Sequence, residues 1–145
     1  MNNKKGFTLI ELLVVIAIIG LLSTMSIIAL NSARARSRDA KRISDIKQMQ
    51  TALEMFYNDA GYYPATGEVD AGDSIATGSN VYMKIVPTAP TPIDGTCSAA
   101  QNTYTYAYSG TSGAASGSYT LTYCLGAQTG GVPAGLNTAT PSGIR

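Results

Sequence analysis

The chain has 145 residues, contains no histidine and no tryptophan, and carries a formal net charge of +1. That length holds one ordinary domain rather than a large enzyme, and without histidine the usual general base near neutral pH and the commonest transition-metal ligand are both missing. The small total hides a segregation of charge: residues 34–47 hold six basic and two acidic side chains, whereas residues 48–145 hold two basic and six acidic ones.

The first element is "KKGFTLIELLVVIAIIG", residues 4–20, in which two lysines and a glycine precede an apolar run. The run extends from residue 9 to residue 30 with Glu11 as its one charge. As a helix it spans about 33 Å, enough to cross a hydrocarbon core. An ordinary secretory signal has a shorter apolar core and a small-residue cleavage site; the best such candidate here, Ala33-Arg34-Ala35, carries an arginine. A membrane span is therefore the preferred reading. Glu11 has two local explanations. "TLIE" has the spacing of a capping box, with Thr8 as N-cap, and a carboxylate in the first turn complements the helix dipole. Near the bilayer centre such a group costs about 2.5 to 3.5 kcal/mol, so within an assembly it needs a partner.

Past the apolar run there is no glycine until Gly61 and no proline until Pro64, so nothing stops the helix at the membrane surface. Ile43, Ile46, Met49, Leu53, Phe56, Tyr57 and Ala60 recur at steps of three and four, which predicts one apolar stripe with Lys47, Thr51, Glu54 and Asn58 facing away. Gly61 supplies a C-terminal cap. The expected helix runs from about Thr8 to Ala60. Its basic run, Arg34, Arg36, Arg38, Lys41 and Arg42, is open to three readings: a face for solvent or lipid headgroups, salt bridges between subunits, or phosphate contacts with nucleic acid.

Beyond Gly61, "VYMKIV" at 81–86 fits a short helix or a strand equally well. "TYTYAYS" (103–109) and "SYTLTYCL" (118–125) alternate strictly and predict half-buried strands joined by the hairpin loop "GTSGAASG". Tyr119, Leu121, Tyr123 and Leu125 share one face, expected to pack on the helix stripe. Tyr104, Tyr106 and Tyr108 belong with them as sheet packing rather than as stacking platforms for a ligand. Cys124 points the other way, beside Thr120 and Thr122. Cys97 and Cys124 are either a disulfide suited to a surface outside the cytosol or a pair of buried thiols; a bridge would contribute roughly 3 kcal/mol. Residues 126–145, rich in glycine, threonine and proline, either wrap the sheet edge or stay mobile.

The opening segment resembles the class III signal of type IV pilins and type II secretion pseudopilins: a basic leader, a glycine before the cut, a phenylalanine after it, and a glutamate four residues further on. The resemblance continues through "SDIKQMQTALEMFYNDAGYYP" (44–64), which is similar to the end of the long pilin helix, and covers roughly the first 65 residues. It implies an α+β pilin fold, a long N-terminal helix packed on a small antiparallel sheet. The implied organisation is a leader at 1–6, a transmembrane and filament-core helix at 7–30, an amphipathic continuation at 31–60, and a globular β domain at 61–145. A membrane-embedded prepilin peptidase would cut after Gly6, whose lack of a side chain lets a protease hold the backbone closely. Phe7 would become the first mature residue and be N-methylated. Glu11 would pair with the positively charged N-terminus of Phe7 on a neighbouring subunit and so set the docking register, with Thr8 as a compatible local cap.

The resemblance further implies a homo-oligomeric helical filament, an inner-membrane assembly platform and lipid contact before assembly; the residues themselves show no nucleophile and base pair and no metal cluster, so neither a cofactor, a metal nor an enzymatic activity is expected. The chain would be a single-pass membrane protein that ends in an extracellular or periplasmic filament. Three departures qualify it. Ile28 stands where many members have a helix-weakening proline, although Gly20 remains as a local weak point. No acidic residue follows Asp94, whereas major pseudopilins of classical secretion systems bind calcium through C-terminal aspartates, which favours a pilin. The basic run outnumbers Lys4 and Lys5, and simple charge counting would place the C-terminal domain in the cytosol; the leader motif and the external-looking domain overrule it. The primary reading is a type IV pilus-like subunit. The alternatives are a pseudopilin of a secretion or competence (DNA uptake) machine and a membrane-anchored binding module that does not polymerise.

Overall fold

A computed structural model describes residues 6–111, 113–115 and 117–144. Its longest element is the helix α1, Leu9–Ala60, which runs unbroken through Gly20 and Ile28. Lys4 and Lys5, with the rest of the leader before Gly6, lie outside the described residues. The chain forms two compact units, one ending at Arg34 and one beginning at Ala35.

In the first unit the apolar stretch of α1 buries nothing, and by length and composition it is a candidate membrane span. Its three hydroxyl side chains are satisfied within the helix. Ser23 donates to the Ile19 carbonyl at 2.7 Å, Thr24 to Leu21 at 2.8 Å and Ser26 to Leu22 at 2.9 Å. Such back-bonding lets polar side chains sit in an apolar surrounding without water.

In the second unit α1 supplies Ile46, Met49, Ala52, Leu53 and Phe56 to the core, with Ile43, Tyr57 and Ala60 packed at its margin. The predicted stripe thus faces inward. Glu54 departs from its expected outward position: it is half-buried, and its carboxylate accepts hydrogen bonds from the hydroxyls of Tyr63 (3.0 Å) and Tyr119 (3.4 Å). Gly61 ends the helix at φ 79°, with its N–H on the Tyr57 carbonyl, a left-handed cap that glycine adopts without steric cost.

The β elements form two sheets. Strands β1 (Ile75–Thr77) and β2 (Asn80–Met83) make a small antiparallel hairpin, which resolves the first half of "VYMKIV" as strand. The larger sheet has the order β3 (Thr105–Ser109), β4 (Ser118–Leu125), β5 (Gly135–Thr140), β6 (Gly143–Ile144), antiparallel throughout. Tyr119, Leu121, Tyr123 and Leu125 on β4 are all buried, and Tyr106 on β3 and Ala139 on β5 join them. Edge-to-face and stacked contacts tie the tyrosines together, Tyr63 and Tyr106 both packing on Tyr119. The glycine-rich tail supplies β5 and β6, so it widens the sheet beyond the two strands legible in the sequence. Cys97 and Cys124 are joined by a disulfide on the far face of β4 from Tyr123 and Leu125.

Candidate assembly site

The N-terminal site is built on the first turn of α1. Thr8 donates its N–H and its hydroxyl to Glu11 Oε2, both at 2.7 Å, and the Glu11 N–H donates to Thr8 Oγ1 at 3.3 Å. Two backbone donors of the helix start are thereby satisfied reciprocally, which is the geometry of a capping box. The exchange uses one carboxylate oxygen; Oε1 takes no hydrogen bond from the described residues. Phe7 is 91% exposed. Phe7, Ile10, Glu11, Val14 and Val15 line a shallow apolar depression on the helix surface. Gly6 is exposed and has nothing within 4 Å of where a Cβ would lie.

A second charged constellation lies within the other unit, and sequence reasoning missed it. The basic run does not act as one face. Arg42 is fully buried, and it donates to Asp39 (2.8 Å), Asp94 (3.3 Å), the Pro90 carbonyl (3.0 Å) and Asn102 Oδ1 (2.9 Å). Asp39, also fully buried, accepts in addition from the backbone N–H groups of Gly126 and Ala127, each at 2.9 Å. Arg38 grips Asp94 with both Nε and Nη2, the bidentate geometry that makes guanidinium–carboxylate pairs specific. The Arg38 guanidinium holds the Asp94 carboxyl below the ordinary carboxylate range. Nearby, Asp45 accepts from the Tyr104 hydroxyl at 3.0 Å. Arg34, Arg36, Lys41 and Lys47 stay exposed.

This cluster corrects the reading of the basic run as one solvent, subunit or nucleic-acid face, because two of its five members neutralise carboxylates inside the domain. Its loops are held close together. A Cβ on Gly95 would lie 1.9 Å from the Gly126 carbonyl oxygen, and Gly95 sits at φ 54°. The disulfide fastens the same two loops, three residues after Asp94 and two before Gly126. The sequence signal was present but unused: Asp39 and Arg42 continue the inward phase of Ile46, Met49, Leu53 and Phe56 at the same three-and-four spacing.

Residues 1–27 match the family model described as the prokaryotic N-terminal methylation motif. That motif covers the start of a chain whose fold is one long N-terminal helix with small antiparallel sheets. The chain is 36% identical over 67 residues to the type II secretion system core protein G of Escherichia coli K12, covering 46% of each chain. It is 34% identical over 88 residues to the fimbrial protein EcpC of Eikenella corrodens, covering 61% of this chain and 58% of that one. Core protein G of Vibrio cholerae is 32% identical over 68 residues, 47% of each chain. The chain spans about half the length of the curated relatives it matches. No solved structure matches it. The matched methylation motif ends within α1, and the relatives that the chain resembles include both secretion-system core proteins and a fimbrial protein.

Proposed function

We propose that this chain is a structural, non-enzymatic subunit of a type IV pilus-like filament. A prepilin peptidase would cut it after Gly6 and methylate it at Phe7, and it would rest in the membrane through α1 until an inner-membrane platform adds it to the growing filament. The observation that carries the reading is an apolar helical surface, exposed from residue 9 to residue 30, that begins with a Glu11 carboxylate oxygen bonded to none of the described residues. Such a surface must be covered by lipid or by other helices. A carboxylate beside the start of that surface finds its counter-charge in the new N-terminus of a neighbour. Between apolar helices that otherwise slide freely, this ion pair would fix the register.

A second reading, a pseudopilin of a secretion system, is favoured by the identity of 36% over 67 residues to the E. coli core protein G. Electron microscopy of sheared surface filaments, combined with mass spectrometry of this subunit, tests the primary reading. An N-methylated Phe7 terminus within filaments is expected. An intact Met1 terminus and no filament association would overturn it, whereas processed subunit that supports protein export without surface filaments would favour the second reading. Glu11→Ala separates pairing from capping when set beside Thr8→Ala. Filament loss confined to the first supports pairing, and equal mild losses support a purely local cap.

A further inference from the structure

Ten charged side chains of the second unit form three groups; buried Asp45, half-buried Glu54 and exposed Asp59 and Lys84 stand outside them. Arg38, Arg42, Asp39 and Asp94 neutralise one another internally, and the salt bridges among the described residues join only these four. Arg36, Lys41 and Lys47 are exposed on α1, on the side turned away from Ile46, Met49 and Leu53. Glu68, Asp70 and Asp73 are exposed in the loop after Pro64, and no basic residue occurs between Lys47 and Lys84. These three cations and three anions make no salt bridge with each other among the described residues, and neither do the exposed Lys84 and Asp59.

The cationic side is more than a solvated helix face. Lys47, though not Arg36 or Lys41, lines a groove of about 660 Å³ between α1 and β2, whose walls also include Ala40, Ile43, Met55, Tyr82 and Met83. Met55 is half exposed there, so apolar surface lies beside the Lys47 ammonium. The acidic loop is preformed. Glu68 accepts the Ala65 N–H at 2.8 Å, and Asp73 accepts the Asp70 N–H at 3.1 Å. Backbone bonds from Gly72 to the Val86 carbonyl and from Val86 to the Asp73 carbonyl pin its end to the domain. A rigid anionic loop gives up little entropy on docking.

We propose that the groove on the outward side of α1 is the docking site for the acidic loop, residues 68–73, of a second copy of this chain. Lys47 in the groove wall sits against its carboxylates, with Lys41 outside the wall as a second cation, and the loop covers the apolar floor beside Met55. This rests on the filament reading and specifies which surfaces of the globular domains meet. The two surfaces are different patches of the same chain, so the contact is head-to-tail and leaves one of each unfilled at the ends, as a polymer requires. A protein copy is favoured over nucleic acid because Arg38 and Arg42 are already committed internally. What remains is a few cations around an apolar groove rather than a continuous basic strip.

The test uses the full chain in membranes, expressed as a mixture of unlabelled and isotope-labelled copies, treated with a carbodiimide that joins amines to carboxylates and analysed by mass spectrometry. Mixed-isotope peptides linking Lys41 or Lys47 to Glu68, Asp70 or Asp73 are expected. Lys47→Glu and Asp70→Lys should each lower the yield of links from Lys41 to Glu68 or Asp73, whose reacting groups neither change removes, about five-fold, and the combined swap should restore it to within about two-fold of wild type. Both side chains are exposed and outside the core, and unchanged near-ultraviolet dichroism checks the fold of each variant. Absence of mixed-isotope links, or variants that lower the yield without rescue by the swap, overturns the proposal. So does protection of Lys41 and Lys47 by duplex DNA in the absence of such links. Filaments without these links would sink the docking site and leave the filament reading standing; links without filaments would do the reverse.

Discussion

Replacing Asp39 by alanine removes the acceptor on which the buried ion cluster converges. Three hydrogen bonds are lost: one from Arg42 and two from the backbone N–H groups of Gly126 and Ala127. Removing one partner of a buried ion pair costs about 3 to 5 kcal/mol. Here Arg42 retains Asp94, Asn102 and the Pro90 carbonyl, and Ala127 is exposed enough for water to replace its bond. The loss is therefore set at the low end, about 3 kcal/mol, a large share of the roughly 5 to 15 kcal/mol of a small domain. It corresponds to a fall of roughly 10 to 20 °C in Tm. The assay is near-ultraviolet circular dichroism of the full chain in detergent. All nine tyrosines fall in the second unit and there is no tryptophan, so the tyrosine signal reports that unit alone. Asp39→Ala combined with Arg42→Met deletes both charges and should lose less than the sum of the single changes, by at least about 1 kcal/mol. A single variant within about 0.5 kcal/mol of wild type, or strict additivity in the double, would refute the claim that the cluster holds the helix to the domain loops.

Acid should weaken the same region. Because the folded-state pKa of Asp94 lies below its ordinary value, its ionised form stabilises the fold above about pH 4 and that contribution disappears as pH falls through the folded value. The unfolding midpoint should drop on acidification below about pH 4, and Asp94→Asn should be less stable at neutral pH and lack this part of the acid dependence. At the other extreme, burial pushes the Tyr123 hydroxyl up to about 12 and raises Tyr63, Tyr104, Tyr106 and Tyr119 as well. A raised folded pKa means stability present below the unfolded value of about 10 and lost as pH climbs above it. Phenolate absorbance from these five should therefore appear together with loss of near-ultraviolet dichroism, and ionisation with the dichroism intact would contradict their burial. Gly95→Ala should cost about 3 kcal/mol in denaturant unfolding because it adds an overlap with the Gly126 carbonyl to a left-handed backbone. Gly131→Ala, at φ 84° with open space around its Cβ position, should cost only the backbone strain of about 1 to 2 kcal/mol. Equal costs would remove the role assigned to the loop contact.

Local patterns made the helix and half of the sheet legible. The phase of Ile46, Met49, Leu53 and Phe56 marked the buried side of α1, and the alternation of Tyr119, Leu121, Tyr123 and Leu125 marked the inward side of β4, because one face of each element is apolar and the other is not. The same logic failed where the buried residue is charged. Asp39 and Arg42 stand at the inward phase of the stripe, but a charged residue normally marks the outward side. The partners that make their burial tolerable, Asp94, Asn102 and the N–H groups of Gly126 and Ala127, lie 52 to 88 residues further on and leave no local trace. The strands β5 and β6 were missed for a related reason. In "GLNTAT" the inward residues are Asn137 and Ala139 and the one large apolar side chain, Leu136, faces out, so their pairing depends on the edge that β4 offers rather than on a pattern of their own. At the N-terminus the capping box was visible in the spacing of Thr8 and Glu11, since both partners sit within one turn. What spacing did not disclose is that the cap occupies only one oxygen of Glu11. That division of labour lets the carboxylate serve its own helix and still meet a neighbour's charge, so capping and pairing need not compete.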